Sequence, residues 1–429
     1  GSVHVDSGEM PFLTLIGDSG DLKVAFYIEL PYRGTFLDCS ILGDRLIGAG
    51  YVNTPEGVRA LASLIDVGNS STALALSFGE GYTLLRAAAP SGGAFVVAGV
   101  VQPPGARDSD LLVALVDESG NMRDARVLGT PAYSDFAERC YSVDGGVLLV
   151  GSTWGYNVSY SDALIAELTG SSSSLLAIGG ADRDEALAAL RDEGSLLVVG
   201  STYTSPGGLS DAFVAFVSNG SMKVYSVGWP SYDGFVDLAK FDEHYYILGY
   251  TMQKGKMCGL IAKNRGGAFS GDGIIVCGDT DVIPLSIGRL NDAIASVFGE
   301  SGGLLVVKFD RDLRPLQAFF LGGAPSAKVR ALRIDISSRI YNVTEVWSLK
   351  TYSSLMNRSL TFKEEVLECK LHQLHLSASE VGIETGYFEE REPPLQALLR
   401  VIESNLPLLI LALPILAVII AVIVTKRRA

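Results

Sequence analysis

Short apolar runs alternate with turn residues along most of this chain, and the pattern repeats about every fifty residues. It is clearest in residues 191–228, RDEGSLLVVGSTYTSPGGLSDAFVAFVSNGSMKVYSVG, where Gly, Ser, Pro and Asn separate runs of strand length. Runs this short, bounded by such residues, are typical of β-strands. The pattern therefore predicts an all-β repeat protein.

Two series of glycines recur in step with the apolar runs. The first comprises Gly50, Gly99, Gly151, Gly200, Gly249 and Gly299. The second comprises Gly79, Gly129, Gly179, Gly228, Gly278 and Gly322. Between them each unit reads as four short strands, which is the signature of a β-propeller blade.

The last two strands of each unit read as a hairpin, because opposed residues in an antiparallel pair have a constant sum of numbers. Placing Asp211 opposite Gly228 centres the turn on Asn219-Gly220, the strongest hairpin dipeptide. Asp110 opposite Gly129 centres a second turn on Ser119-Gly120. The turn chemistry thus agrees with the predicted register.

Seven units are predicted, the last of them beginning with a hairpin at residues 329–347. That unit lacks an outer hairpin, whereas residues 12–30 form one at the N-terminus without an inner partner. We therefore expect residues 12–30 to complete the last blade and to close the ring within residues 1–347. Six blades are the alternative, because residues 329–347 are the least regular unit.

One motif opens the third strand of several units: SDLLVALVDESGNMRDARVLG from Ser109, SDALIAEL from Ser161 and SDAFVAFV from Ser210. It resembles the SBBP-type propeller repeats of prokaryotic, chiefly archaeal, surface proteins, and the resemblance covers residues 13–347. The resemblance implies a propeller and is nearly silent on function. We expect the aspartates of the motif, Asp110, Asp162 and Asp211, to accept hydrogen bonds from loop amides within the blades.

The C-terminal part departs from the repeat. Residues 406–424 are apolar without a charge and long enough to cross a bilayer, and Lys426, Arg427 and Arg428 follow as a stop signal. This predicts a juxtamembrane and transmembrane helix over residues 395–425 with a cytoplasmic tail at 426–429; a buried core helix is the alternative. Residues 348–394 are interpreted as a membrane-proximal β segment and linker, with two strands in 359–379 that could instead form an outer hairpin of the last blade.

An exported, glycosylated protein is predicted from two further observations. The chain begins at Gly1, which is consistent with a removed signal peptide or with a cloning scar. Five of its ten asparagines begin an N-x-Ser/Thr triplet: Asn69, Asn157, Asn219, Asn342 and Asn357. The net charge of −14 makes nucleic acid an unsuitable partner.

Cysteine spacing predicts one disulfide. Cys258 and Cys277 stand opposite each other in the outer hairpin of the fifth unit. A disulfide between them would close a loop and stabilise the folded state by on the order of 3 kcal/mol. Two buried thiols are the alternative. The other three cysteines, Cys39, Cys140 and Cys369, are left without a predicted partner.

No catalytic, cofactor or metal site is predicted. The acidic pairs at 182–184, 279–281 and 310–312 lack the spacing of a calcium loop and read as solvated turns. In CKLHQLH, Cys369 and His375 share a face of a strand while His372 points away, which disfavours a metal site. The chain also lacks a nucleophile elbow, a phosphate loop and a zinc-protease motif.

These observations favour a non-enzymatic extracellular propeller, anchored in the lipid bilayer, that serves as a binding or scaffold module or as an accessory subunit for a protein or glycan partner. Two alternatives stay open: an extracellular hydrolase or lyase with its site in the propeller channel, and a self-assembling surface-layer or filament component. Function is expected where units break the pattern, at residues 102–108, 154–161 and 348–394.

Overall fold

Seven antiparallel sheets form a β-propeller in the computed structural model, which confirms the predicted fold and blade count. They lie in one compact unit, Gly1–Gly386. A second unit, Tyr387–Ala429, is described only at its first two residues. The structure describes residues 2–5, 8–17, 22–69, 73–79, 81–130, 133–154, 160–169, 172–204, 209–265, 268–322, 328–352, 356–359, 364–374 and 376–388.

The N-terminal residues form what we term blade 7, and six four-stranded blades follow it in chain order. Blade 7 consists of β1 (Ser2–Val5), β2 (Gly8–Ile16) and β3 (Leu22–Glu29). Blade 1 consists of β4 (Gly34–Leu42), β5 (Arg45–Thr54), β6 (Gly57–Asp66) and β7 (Ala73–Phe78). Blade 2 consists of β8 (Tyr82–Ser91), β9 (Ala94–Gln102), β10 (Asp110–Asp117) and β11 (Met122–Gly129). Blade 3 consists of β12 (Asp135–Val143), β13 (Gly146–Thr153), β14 (Asp162–Thr169) and β15 (Ser172–Gly179).

The remaining blades follow the same plan, with the first strand innermost. Blade 4 consists of β16 (Asp184–Asp192), β17 (Ser195–Thr202), β18 (Asp211–Ser218) and β19 (Ser221–Val227). Blade 5 consists of β20 (Asp233–Phe241), β21 (His244–Gln253), β22 (Lys256–Arg265) and β23 (Ala268–Cys277). Blade 6 consists of β24 (Ile283–Leu290), β25 (Ala293–Glu300), β26 (Gly303–Phe309) and β27 (Pro315–Gly322). The predicted hairpin register holds, since Ser218 pairs with Ser221 around Asn219-Gly220.

After blade 6 the chain turns back and encircles the propeller. Eight short strands, which we call the belt, follow: the first seven pair in turn with the outer edges of blades 5, 4, 3, 2, 1, 7 and 6, and the eighth pairs with the first belt strand at blade 5. They are β28 (Val329–Asp335), β29 (Ile340–Asn342), β30 (Ser348–Tyr352), β31 (Met356–Ser359), β32 (Glu364–Leu367), β33 (Lys370–Gln373), β34 (Ser377–Glu380) and β35 (Ile383–Tyr387). Two 3-10 turns interrupt the belt, Ser337–Arg339 and Thr344–Val346. Its course gives every blade one extra outer strand and blade 5 a second one.

The belt overturns the predicted ring closure. Residues 329–347 do not form the inner hairpin of a last blade, because β28 pairs with β23 and β29 pairs with β19. Residues 12–30 lie in blade 7, where β1 and β33 are their partners. Residues 359–379 likewise supply strands to different blades instead of one hairpin. The first seven belt strands pair with blade edges and β35 pairs with β28, which satisfies their main-chain hydrogen-bonding groups.

Each inner strand of blades 1 to 6 carries a β-bulge, and in blades 1 to 5 a glycine of the first series pairs with the residue just before it. In blade 4 the register shifts between Ala186 and Ala188, and Gly200 pairs there. A Cβ added at Gly200 would overlap the carbonyl oxygen of Glu185. The same overlap with the bulged strand occurs at Gly50, Gly99, Gly151 and Gly249. These glycines are therefore required by the close approach of two main chains.

The hydrophobic core lies between neighbouring blades, because both faces of each sheet are covered. Continuous clusters join blades 1 and 2, 2 and 3, 3 and 4, 5 and 6, and 7 and 1. The belt contributes to them: the ring of Trp347 is buried and lies 4.8 Å from that of Phe213. The belt is thus packed into the core as well as paired with the sheets.

No helix among the described residues is long and apolar enough to cross a membrane. The predicted transmembrane stretch, residues 406–424, and the stop signal Lys426, Arg427 and Arg428 lie outside the described residues. The predicted disulfide is confirmed, with the sulfur atoms of Cys258 and Cys277 at bonding distance. Cys39, Cys140 and Cys369 are not disulfide-bonded.

Candidate functional site

One end of the propeller carries the long connections, and we call it the loop face. In a four-stranded meander, the links from the second to the third strand and from the fourth strand to the next blade lie at the same end of the sheet. The opposite end, the turn face, carries tight hairpins such as Asn219-Gly220. Two of the predicted functional stretches, residues 102–108 and 154–161, belong to the loop face.

Large exposed aromatic side chains are concentrated on this face. Among the described residues, seven aromatic side chains are highly exposed, and six of them are on the loop face: Tyr82, Tyr133, Trp154, Tyr160, Tyr203 and Tyr232. Leu209 lies there too and is 57% exposed. Exposed apolar groups scattered singly need no explanation, but a group of aromatic residues on one face does.

Main-chain contacts join these residues across blade boundaries. The amide of Trp154 donates to the carbonyl of Ser134, next to Tyr133, at 3.0 Å. The amide of Leu209 donates to the carbonyl of Ser231, next to Tyr232, at 3.1 Å. These hydrogen bonds link Trp154 to the connection that carries Tyr133, and Leu209 to the connection that carries Tyr232.

This surface is almost uncharged. Five consecutive connections contribute to it, and we call their described residues, 130, 133–134, 154, 160–161, 180–183, 203–204, 209–210 and 228–232, the aromatic sector. Their sequences contain two charged residues, Asp182 and Arg183. Both make local bonds, since Arg183 pairs with Glu185 and Asp182 accepts the amide of Arg183. The chain as a whole is 19% charged, so the sector is depleted of charge.

Buried carboxyl groups hold the connections of the sector in place. Asp135, Asp184 and Asp233 begin the inner strands of blades 3, 4 and 5 and are fully buried. Their Oδ2 atoms accept hydrogen bonds from the amides of residues 130, 180 and 229 at 2.6–2.8 Å. Because these amides belong to the connections, the carboxyl groups fix the loop conformation before any partner binds.

The aspartates of the repeated motif lie beside these groups. A Cβ added at Gly179 would overlap both Asp162 and Asp184, and one at Gly129 would overlap Asp110 and crowd Asp135. Glycines of the second series therefore leave room for two carboxyl groups, and Asp211 has the same relation to Gly228. The motif aspartates were predicted to bind loop amides. Hydrogen bonds to loop amides are made by their neighbours Asp135, Asp184 and Asp233, which share a 49-residue spacing, and the prediction for the motif aspartates stays a prediction.

Burial raises the pKa of Asp184 and of Asp233 to about 7, although hydrogen bonds from a threonine and a main-chain amide act in the opposite direction. In the unfolded chain an aspartate titrates near 3.8. Between about pH 4 and pH 7 the two carboxyl groups therefore stay protonated in the folded state, whereas they have lost their protons in the unfolded chain. The free energy of unfolding should therefore fall as the pH rises from about 4 to about 7, by up to roughly 1.4 kcal/mol per pH unit for each carboxyl.

The substitution Asp184→Asn tests this dependence. Because asparagine stays neutral, we expect the variant to be more stable than the unmodified chain near pH 8 and no more stable near pH 4, as measured by urea unfolding. Asp44→Asn, at an exposed turn, is the matched control and should leave the shape of the curve unchanged. Parallel curves for Asp184→Asn and the unmodified chain would contradict the buried titration.

The disulfide replaces this carboxyl arrangement in blade 5. The amide of Val282 donates a hydrogen bond to the carbonyl of Met257. In the same way, the amides of the buried aspartates donate to the carbonyls of the motif serines, Ser109, Ser161 and Ser210. Cys258 thus occupies the position of the motif aspartate, and Cys277 occupies that of the facing glycine. The last connection of the aromatic sector, residues 228–232, leads into blade 5, which carries the disulfide.

The predicted glycosylation positions lie mainly away from the loop face. Asn69 and Asn219 are exposed in turns of the turn face. Asn342 is exposed on the belt, where its Oδ1 accepts the amide of Thr344 at 3.1 Å, and Asn357 is in β31. Asn157 lies outside the described residues.

Side chains of two candidate metal sites make contacts with neighbouring protein groups. His372 approaches Glu29, with Nε2 2.8 Å from the carboxylate, and stacks on Tyr27 at 4.9 Å. Asp310 accepts the amides of residues 312 and 314 in a turn. Within the described ranges, no group of three metal-ligating side chains comes together; His375 lies outside them.

A cavity of about 840 Å³ occupies the centre of the propeller. Inner strands of blades 1, 2, 3, 5 and 6 line it together with residues of blade 7. Three acidic or basic side chains lie in its wall, Asp38 from blade 1, Arg139 from blade 3 and Asp237 from blade 5. Equivalent positions of the other blades carry Ala87, Ala188 and Ser286. The cavity therefore has a polar part that the repeat does not require.

Neither the family models nor the curated proteins give a match to this chain. The resemblance to SBBP-type repeats is thus supported in its fold alone, a seven-bladed propeller.

Proposed function

We propose that this protein is a binding module whose aromatic sector holds a protein partner, so that the propeller acts as a scaffold or as an accessory subunit. The observation that carries the proposal is the concentration of exposed tyrosine and tryptophan on one nearly uncharged face. The centres of protein interfaces are enriched in these residues and depleted of charge. A binding or scaffold role also fits the propeller fold.

The rigidity of the sector supports the proposal. Three of its connections are bonded to buried carboxyl groups through the amides of residues 130, 180 and 229, so little conformational entropy is lost at these connections when a partner docks. Tyrosine and tryptophan add large contact area with few rotatable bonds. A preformed aromatic surface is what a stable interface needs.

An extracellular, membrane-anchored location is part of the proposal. Its support is the apolar stretch 406–424 with the basic residues after it, and the five N-x-Ser/Thr triplets. Glycans at Asn69 and Asn219 would cover the turn face and leave most of the loop face accessible. A partner would then approach from the loop face.

Combined substitution of Tyr133, Trp154 and Tyr203 by serine tests the proposed interface. We expect affinity capture from cells that naturally make the protein to recover a defined partner with the unmodified chain. The variant should lose at least about a hundredfold in affinity for that partner, because central aromatic residues each contribute about 2 kcal/mol or more. The melting temperature should change little, since all three side chains are exposed.

A matched control removes exposed apolar groups from the turn face. Ile41 and Leu316 are 49% and 59% exposed, and both lie towards that end of their blades. The variant Ile41→Ser/Leu316→Ser should retain the partner. Equal recovery with both variants, or recovery of a second copy of the same chain only, would oppose a loop-face partner; the second result would favour self-assembly.

A hydrolase or lyase is the second candidate, because two carboxyl groups, Asp38 and Asp237, share the central cavity. Burial raises the pKa of both, which is a property of general acids. Turnover of chromogenic glycosides or peptides that is abolished by Asp38→Asn would favour this candidate.

A further inference from the structure

The central cavity contains a cation with most of its donors unused. Arg139 has five N–H donors and, among the described residues, makes one hydrogen bond, from Nη1 to the carbonyl of Glu138 at 3.3 Å. No carboxylate lies within ion-pair distance of it in the described part of the chain. Burial raises the pKa of Asp38 and of Asp237, and the guanidinium of Arg139 acts against this, so the three groups sense one another across the cavity.

The two carboxylates are positioned by the fold. Oδ2 of Asp38 accepts the amide of Ala88 at 3.0 Å, from the next blade. Oδ2 of Asp237 accepts Ser286 Oγ at 2.8 Å and the amide of Ile287 at 2.9 Å, again from the next blade. Each carboxylate therefore bridges two blades, and its remaining lone pairs are held at fixed places in the wall.

Apolar side chains lie next to these charges. Leu37 and Leu285, at bulges of the inner strands, are 45% and 40% exposed although they lie at the centre of the molecule. Leu304 completes this part of the wall. Leucine side chains that face a cavity are accessible to an apolar group of a ligand.

We propose that the cavity binds a small zwitterion with an apolar substituent, namely an α-amino acid or the end of a short peptide. Arg139 would pair with the ligand carboxylate, Asp38 and Asp237 with its ammonium group, and the leucines with its side chain. An α-amino acid carries its two charges on one carbon, which matches one guanidinium beside two carboxylates. The volume is within the range of small-molecule sites.

Isothermal titration of the full-length chain with L-leucine, N-acetyl-L-leucine and L-leucinamide tests this inference. Leucine should bind saturably, and each analogue, lacking one charge, should bind at least about tenfold more weakly, because hydrogen bonds to charged groups are lost. The analogue series needs no substitution and is independent of any loss of folding. Absence of saturable leucine binding up to about 10 mM would overturn the proposal.

Substitutions assign the charges. Arg139→Gln should weaken leucine about tenfold and leave leucinamide nearly unchanged, whereas Asp38→Asn should weaken leucinamide and leave N-acetylleucine nearly unchanged. Leu285→Ser should weaken leucine more than glycine. Equal weakening of all ligands by Arg139→Gln and Asp38→Asn, with unchanged melting temperatures, would show that the cavity does not recognise the two charges separately.

Discussion

A chain that ends after Gly322, and therefore lacks the belt, will fail to show a cooperative unfolding transition. The belt buries side chains that no blade replaces: Val329, Ile336, Val343, Trp347, Leu367 and Val381. At about 1.5–3 kcal/mol for each large apolar group, their contribution is comparable to the whole net stability of a domain, about 5–15 kcal/mol. Calorimetry and size-exclusion chromatography of the purified chain measure the outcome.

Ring topology gives a second reason for this result. Blades 6 and 7 come last and first in chain order, and among the described segments only the belt passes from one to the other, between β33 and β34. Without the belt, no described chain segment passes directly from blade 7 to blade 6, and the outer edge of every sheet is exposed. Unpaired edges promote association between chains, so the truncated protein should also aggregate.

Truncation after Phe388 is the matched control, because it keeps all eight belt strands. We expect that chain to be monodisperse and to have the same melting temperature as the propeller within the full-length protein. A cooperative transition at an unchanged temperature for the chain ending at Gly322 would contradict the role of the belt.

The substitution Gly200→Ala should destabilise the protein by about 3 kcal/mol, because the added methyl group would overlap the carbonyl oxygen of Glu185 and force the bulge of β16 apart. The methyl carbon is attached directly to the main chain and the oxygen belongs to it, so neither atom can move without shifting a strand between packed blades. Chemical unfolding monitored by tryptophan fluorescence gives the change in free energy.

Blade 6 provides the control for this effect. Gly299 belongs to the same series, but the nearest atom to an added Cβ is 3.8 Å away, at Ile283. Neither glycine has a positive φ. Gly299→Ala should therefore change stability by less than about 1 kcal/mol. Equal losses at both positions would mean that the repeat preserves glycine for a reason other than close main-chain approach.

Much of the propeller could be predicted because each blade obeys the same local rules. Apolar runs, turn dipeptides and glycine spacing all report on contacts within about fifty residues, and they gave seven units, the hairpin at Asn219-Gly220 and the pair Cys258–Cys277. The repeated features also explain one another, since the glycines face bulges and carboxyl groups.

The belt could not be predicted in this way. Its strands are three to seven residues long and lack a period, because each takes its pattern from the blade edge that it covers. Such long-range pairing leaves no local signal. The prediction of a hairpin in residues 329–347 agrees with their composition. It is wrong because the strands in this range pair with two different blades.

The candidate sites were only partly visible in the sequence. Loops that break the repeat, at 102–108 and 154–161, indicated the face on which most of the exposed aromatic side chains lie. The exposure of Tyr133, Trp154 and Tyr203 is a property of the folded loops, and composition does not reveal it. Arg139 and Asp237 occupy ordinary strand positions, and only the closing of the ring brings them to one cavity.

Site-specific photo-crosslinking in the producing cells tests the central claim most directly. A photoreactive amino acid at Trp154 or Tyr203 should crosslink a discrete protein partner, whereas the same group at Ile41 or Leu316 should not, because the latter lie towards the turn face. Crosslinks of equal yield from both faces, or from the turn face only, would contradict a loop-face binding module.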